Sequence, residues 1–187
     1  INPLDQVISS KYTGEKEAVV LRSRFDNAQP FRHLVLPNFL YVALANEHYE
    51  HFPAIDSLNV KRKSLNEDKS EDYHFERWHP SFSELRAVIS SQDFAQWMSE
   101  VTGIEGLHTT DDSLGSGIHQ GKDGSYVDVH IDVNMNQDKG VWRRINWMIY
   151  LNREWKAEYG SDLELWDREM SRCEVKVPCD FNREVIF

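Results

Sequence analysis

A histidine stands two residues ahead of a carboxylate three times in this sequence: His48-x-Glu50, His74-x-Glu76 and His130-x-Asp132. The chemistry such a pair can do is to hold a metal ion. Two imidazoles and one carboxylate on one side of an iron(II) ion leave coordination positions free for other groups. A His-x-Asp on a strand supplies two of those ligands, because residues i and i+2 project from the same face. On a helix the same two residues diverge.

Local pattern separates the three pairs. His48 and Glu50 fall in a helical stretch, so they point two ways. His74 and Glu76 lie in a charged run without a period. Around the third pair, Tyr126, Asp128, His130 and Asp132 alternate with Val127, Val129, Ile131 and Val133. That alternation predicts a strand with an apolar side and a polar side, the latter pointing His130 and Asp132 into the same pocket. The plainer reading of this segment is a half-solvated strand whose polar side meets water, and the motif alone does not exclude it.

The flanking elements must position the pair. A short helix is expected at Pro3–Ser10, followed by two brief apolar runs, Val19–Leu21 and Leu34–Leu36. A helix is expected over about 39–51, entered through Asn38 and stopped by Pro53. Residues 60–80 are dense in charge and aperiodic, which predicts a long loop, lid or disordered stretch. Helical spacing returns at Leu85, Val88 and Ile89. It recurs at Phe94, Trp97, Met98 and Val101, where Gly103 is placed as the C-terminal cap. The Trp/Met stripe reads as core. From about Ser116 onward strands are expected, at about 144–151, 163–166, 175–177 and 184–187. Helices first and strands afterwards argue for a sandwich or barrel with helices packed outside it.

Composition narrows the function classes. The chain has 187 residues, 21 Lys+Arg against 31 Asp+Glu, and a formal net charge of −10, with eight His counted neutral. That length suits one core and one domain. The acidic balance argues against nucleic acid as a general partner. No apolar run is long enough to cross a bilayer and no signal-peptide pattern is present, so membrane association is not expected. Cys173 and Cys179 read as free thiols of a cytoplasmic protein.

The order of motifs says more than any one of them. Gly124-Ser-Tyr-Val-Asp-Val-His-Ile-Asp-Val-Asn134 precedes Arg143-Arg-Ile-Asn-Trp-Met-Ile-Tyr-Leu-Asn152. Trp155, then Tyr159-Gly-Ser-Asp-Leu-Glu-Leu-Trp-Asp167, then Phe181-Asn-Arg-Glu-Val-Ile-Phe187 follow. This succession resembles the 2-oxoglutarate/Fe(II)-dependent dioxygenase superfamily, in its prolyl-hydroxylase-like branch. The resemblance covers about 116–187 well and the N-terminal helices loosely. It implies a mainly β fold, a double-stranded β-helix (jelly-roll) core with flanking helices. The single domain would have a helical part at about 1–105 and barrel strands at about 106–187.

The resemblance further implies hydroxylation of a C–H bond in a prolyl residue or small metabolite. Fe(II) and 2-oxoglutarate would be the cofactors, succinate and CO2 the co-products, and ascorbate a reductant. It casts His130 and Asp132 as iron ligands and Tyr150 as a partner of the distal 2-oxoglutarate carboxylate. A tyrosine that only fills the barrel is the alternative for Tyr150. Arg143 and Arg144 read as structural ion-pairing residues. Gln120 and Tyr126 could line the pocket, and His119 could approach the metal. The family's double glycine is replaced by Gly160-Ser161, with Asp162 next, residues that still accept a turn. The third iron ligand, a His, and a basic partner for 2-oxoglutarate are expected beyond Phe187, so the C-terminal end reads as incomplete and the 187-residue fragment is expected to turn over little or no 2-oxoglutarate. Substrate loops are expected at 60–80 and 134–142. A catalytically inactive jelly-roll binding module remains the rival reading, with a zinc hydrolase behind it because no H-E-x-x-H is present.

Overall fold

A computed structural model describes residues 3–110 and 116–187; positions 111–115 of the expected barrel region, and the first two residues of the helical part, lie outside them. The architecture is mixed, with helices and antiparallel strands in comparable shares. The expectation of a mainly β chain is corrected in that respect. No closed barrel is present among the described residues, where the strands fall into separate antiparallel sheets.

The N-terminal half is more helical than its sequence pattern suggests. A 3-10 turn at Pro3–Gln6 leads into α1 (Ser10–Thr13) and α2 (Glu15–Asn27). The expected Pro3–Ser10 helix is thus shorter, and α2 takes in the run at Val19–Leu21. Val19 and Val20 on α2 are exposed, while Ala18, Leu21 and Phe25 are buried. The exposed valines blur the apolar stripe, which is why its period is hard to read. The next helix, α3 (Val42–Glu50), starts after Tyr41 rather than Asn38.

Two later helices follow the sequence reading. In α4 (Pro80–Ile89), Pro80 occupies the first turn and the His79 side chain accepts from the Ser81 N–H. The proline lacks only an N–H that would be unpaired there anyway. In α5 (Gln92–Thr102), the Ser91 side chain accepts from the Phe94 N–H, and Gly103 closes the helix at φ 67°. That left-handed conformation suits glycine. Trp97 and Met98 are core residues, and the Trp97 indole N–H donates to the Tyr12 carbonyl at 2.8 Å.

This helical layer packs on one three-stranded sheet. Its order is β1 (Leu34–Pro37), β11 (Arg183–Ile186), β8 (Trp147–Tyr150), all antiparallel. Cross-strand partners share a face. Leu34, Leu36, Ile186, Glu184, Trp147 and Ile149 therefore face the helices, and Trp147 meets Phe39 and Phe94 edge-on. Val35, Val185, Met148, Arg183 and Tyr150 face the other way.

The charged run at 60–80 is not a loop. It forms an antiparallel hairpin of β2 (Val60–Lys63) and β3 (Glu67–Asp72), then a 3-10 turn at Phe75–Arg77. Charge replaces apolar alternation as the organising term. Arg62 bonds Glu71 at 2.7 Å, Lys69 bonds Glu71 at 2.7 Å, and Lys63 lies 3.9 Å from Asp68. Arg62–Glu71 and Lys63–Asp68 cross the ladder, and such pairs of opposite charge favour this register. Arg62 and Lys69 face each other, and the Glu71 carboxylate sets its negative charge against both. The hairpin is extended by β4 (Ile118–Gln120) and β5 (Tyr126–Val127), both paired to β3. A Cβ at Gly117 would lie 2.6 Å from the Asp72 carbonyl oxygen, so glycine permits this approach of β4 to β3. The remaining strands pair locally, β6 (Met135–Asn136) with β7 (Val141–Trp142), and β9 (Leu163–Trp166) with β10 (Cys173–Val177). The turn at Gly160-Ser161 does form, with both residues at positive φ.

Candidate metal centre

The strand expected over 126–133 stops after Val127. Asp128 makes one more ladder-like bond, from its N–H to the Asn66 carbonyl at 2.8 Å. Beyond it the backbone leaves the sheet. The apolar side of the segment is not in the core: Ile131 is 86% and Val133 74% exposed.

His130 and Asp132 nevertheless converge. His130 Nε2 lies 3.1 Å from Asp132 Oδ1. A local contact brings this about: His130 Nδ1 lies 2.7 Å from the Asp128 carbonyl oxygen. A carbonyl only accepts, so Nδ1 must carry the proton there. In the neutral imidazole this leaves the lone pair on Nε2, facing a carboxylate oxygen. Two lone pairs at that separation repel unless a proton or a cation lies between them. A ring fixed through one nitrogen and turned outward through the other is how metal-binding histidines are commonly held. About half of the His130 side chain and a third of that of Asp132 reach solvent, so the position is open on one side.

The second oxygen of Asp132 is held separately. Asn146 Nδ2 donates to Oδ2, and the Arg143 guanidinium stands 4.0 Å from the same atom. Arg143 thus ion-pairs as expected, while Arg144 is exposed. The backbone of Asn146 exchanges both hydrogen bonds with Phe187, at 2.7 and 3.1 Å, so it continues the β8–β11 ladder. Asn146, Met148 and Tyr150 therefore share the face that looks toward Asp132. Tyr150 sits opposite Arg183 in register. Burial, together with the nearby Cys179, Glu184 and Asp162, pushes the Tyr150 phenol up, which keeps it a neutral O–H donor.

A cleft of about 190 Å³ adjoins the pair, lined by Asn66, Glu67, Val127, Asp128 and His130. The expected substrate segment at 60–80 contributes two of these residues, now from the turn and start of β3.

Other candidates are placed elsewhere. His119 lies 3.7 Å from Glu71, and its imidazole is engaged there rather than at the His130–Asp132 pair. Packing around the ring lowers its pKa, although half of its side chain still reaches solvent. Tyr126 donates to the Ser64 carbonyl and ties β5 to the hairpin. The buried Gln120 side-chain oxygen has no protein partner. His48 is a core residue, stacked on Phe82 at 4.8 Å and bonded through Nε2 to the Ser81 carbonyl. His74 contacts Glu76 at 3.7 Å across the 3-10 turn. Among the described residues no group of three His, Cys, Asp or Glu side chains gathers at one point. Sequence reasoning missed Asn146; the only signal was its alternation with Met148 and Tyr150.

Known proteins resemble the part of the chain that contains this pair. Residues 116–187 match the model of the 2OG-Fe(II) oxygenase superfamily. The likeness read from the order of motifs is therefore shown, on the prolyl-hydroxylase-like side. A curated relative, Prolyl 3-hydroxylase OGFOD1 of Mus musculus, is 29% identical over 142 residues, which is 75% of this chain and 24% of the relative. The chain spans about a quarter of that protein's length. The matched segment opens at the bend before β4 and includes β5, the His130–Asp132 pair, β8 and β11. No helix among the described residues is long and apolar enough to cross a membrane.

Proposed function

We propose that the chain is a single oxygenase domain, with a jelly-roll core, of an Fe(II)- and 2-oxoglutarate-dependent hydroxylase. His130 and Asp132 are two of its iron ligands. The observation that carries this reading is the convergence of His130 Nε2 on Asp132 Oδ1 at 3.1 Å, with Nδ1 committed to the Asp128 carbonyl. The donor set fits iron(II): one imidazole nitrogen and one carboxylate oxygen are two parts of a facial triad. Fe(II) held there would supply the oxygen activation that couples 2-oxoglutarate decarboxylation, with release of succinate and CO2, to C–H hydroxylation.

The chain's own residues then have distinct tasks. His130 keeps its tautomer through Asp128. Asp132 presents one oxygen beside it. Tyr150 offers a phenolic proton to the distal carboxylate of 2-oxoglutarate from the same side of the sheet. Asn66, Glu67 and Asp128 border the cleft that leads substrate to the metal. The mouse relative is named as a prolyl 3-hydroxylase, which supports a prolyl residue of a protein as substrate. Two unpaired cysteines support a reducing, cytoplasmic setting.

Succinate release from 2-oxoglutarate by the full-length protein, with Fe(II), ascorbate and a prolyl peptide, tests the reading. Turnover that disappears in both His130→Ala and Asp132→Ala is expected. Turnover unchanged in either variant would overturn the site assignment.

A further inference from the structure

We propose that Asn146 is a positioning residue that holds Asp132 as a one-oxygen metal ligand; the inference rests on the metal reading of His130 and Asp132 above. Asn146 Nδ2 donates to Asp132 Oδ2, while Oδ1 faces His130 Nε2 at 3.1 Å. With Oδ2 occupied by the amide, Oδ1 is the oxygen left for a cation. One-oxygen binding keeps a further coordination position open, which co-substrate and oxygen chemistry requires. The holder is neutral, and that matters. A guanidinium in contact would offset the carboxylate charge that attracts the metal. Arg143 ion-pairs with the same oxygen from 4.0 Å, beyond hydrogen-bond contact, so the neutral amide is the group that fixes the carboxylate.

The amide is itself immobilised. Its backbone is tied in both directions to Phe187 at the end of the β11 ladder. Asp132 has no such anchor, since its own segment leaves the sheet after Asp128 and the residues on either side of it, Ile131 and Val133, are exposed. The rigid strand therefore orients the irregular one through a single side chain. This also links the metal position to the face carrying Tyr150, because Asn146 and Tyr150 lie on the same side of β8, about 14 Å apart along it at the rise of an antiparallel strand.

The test uses Co(II) as the probe, titrated into the full chain without co-substrate and followed by its visible absorption. Asn146→Leu, close in size and unable to donate, is expected to weaken Co(II) binding about 10- to 100-fold, the usual effect of removing an outer partner of a ligand. The absorption band should also change as Oδ2 becomes free to coordinate. Asn146→Ser, which keeps a donor, should recover part of the affinity. Thermal unfolding of each variant separates misfolding from this effect, with Asn146→Ala as the substitute if the leucine variant does not fold. Wild-type affinity and band shape in folded Asn146→Leu would overturn the positioning role. Co(II) binding that survives Asp132→Ala unchanged would instead overturn the metal reading itself.

Discussion

Asn182 bonds both backbone groups of Leu40, its side-chain oxygen accepting from the Leu40 N–H at 2.9 Å and its amide donating to the Leu40 carbonyl at 2.8 Å. The pair is 142 positions apart in sequence and buried. It welds the segment after β1 to the turn that enters β11. Asn182 also sits at φ 56°, a left-handed conformation that asparagine tolerates better than most residues. The Phe-Asn-Arg run thus has a structural task beside the site.

Asn182→Ala is therefore expected to be costly. It leaves a buried N–H and a buried C=O without partners, each at roughly 1–3 kcal/mol, so a total of about 3 kcal/mol is anticipated. Urea unfolding monitored by tryptophan fluorescence reads this directly. A loss below about 1 kcal/mol would mean that water replaces the side chain.

Glu184 is fully buried on the helix-facing side of β11, between Leu36 and Ile149, with no partner for either carboxylate oxygen. Burial holds its carboxyl well above the usual range. Below the unfolded-state value near 4.5 both states are protonated and nothing is lost. As pH rises past that value, the unfolded chain ionises while the folded one does not. Stability then falls by up to about 1.4 kcal/mol per pH unit until the folded carboxyl also titrates. Glu184→Gln should flatten that decline between pH 5 and 7 and leave stability near pH 4 almost unchanged. Parallel slopes for the two proteins would refute the assignment.

Glu71 behaves in the opposite sense. Its burial alone would raise the carboxyl, but bonds from Arg62, Lys69 and Tyr73 prevail and hold it at about 2. Its contribution is complete above the unfolded value near 4.5 and disappears as pH falls from there toward 2. The shift corresponds to something on the order of 3 kcal/mol. Glu71→Gln should remove most of that and loosen the β2–β3 hairpin, visible as faster amide exchange at Arg62 and Lys69. Unchanged exchange would show that the hairpin does not depend on this ion cluster.

Tyr150→Phe keeps the ring and removes the hydroxyl. For the full-length enzyme the 2-oxoglutarate concentration needed for half-maximal turnover should rise by about tenfold, one lost hydrogen bond to a charged group, while the Fe(II) requirement stays constant. An equal rise in both requirements would assign Tyr150 to general packing.

Much of this protein was legible along the chain. The helical spacing of Phe94, Trp97, Met98 and Val101 determined α5 and its buried face, and Gly103 its end, because a helix closes its hydrogen bonds within itself. The motif order from Gly124 to Phe187 marked the oxygenase-like segment and offered His130, Asp132 and Tyr150 as candidate site residues. Tertiary structure decided the rest. Residues 60–72 carry no apolar alternation, and only the tertiary pairing makes a hairpin of them: Arg62 of β2 reaches across to Glu71 of β3, whose carboxylate also holds Lys69 on its own strand. The alternation at 126–133 promised a strand, yet a strand needs a neighbour for its backbone, and β3 offers one only as far as Asp128. His130 and Asp132 meet through a local bond to the Asp128 carbonyl and a distant amide on Asn146. Side-chain period can announce which residues share a face; which backbone stands beside them, and which side chain holds them still, is set by contacts between segments far apart in the chain.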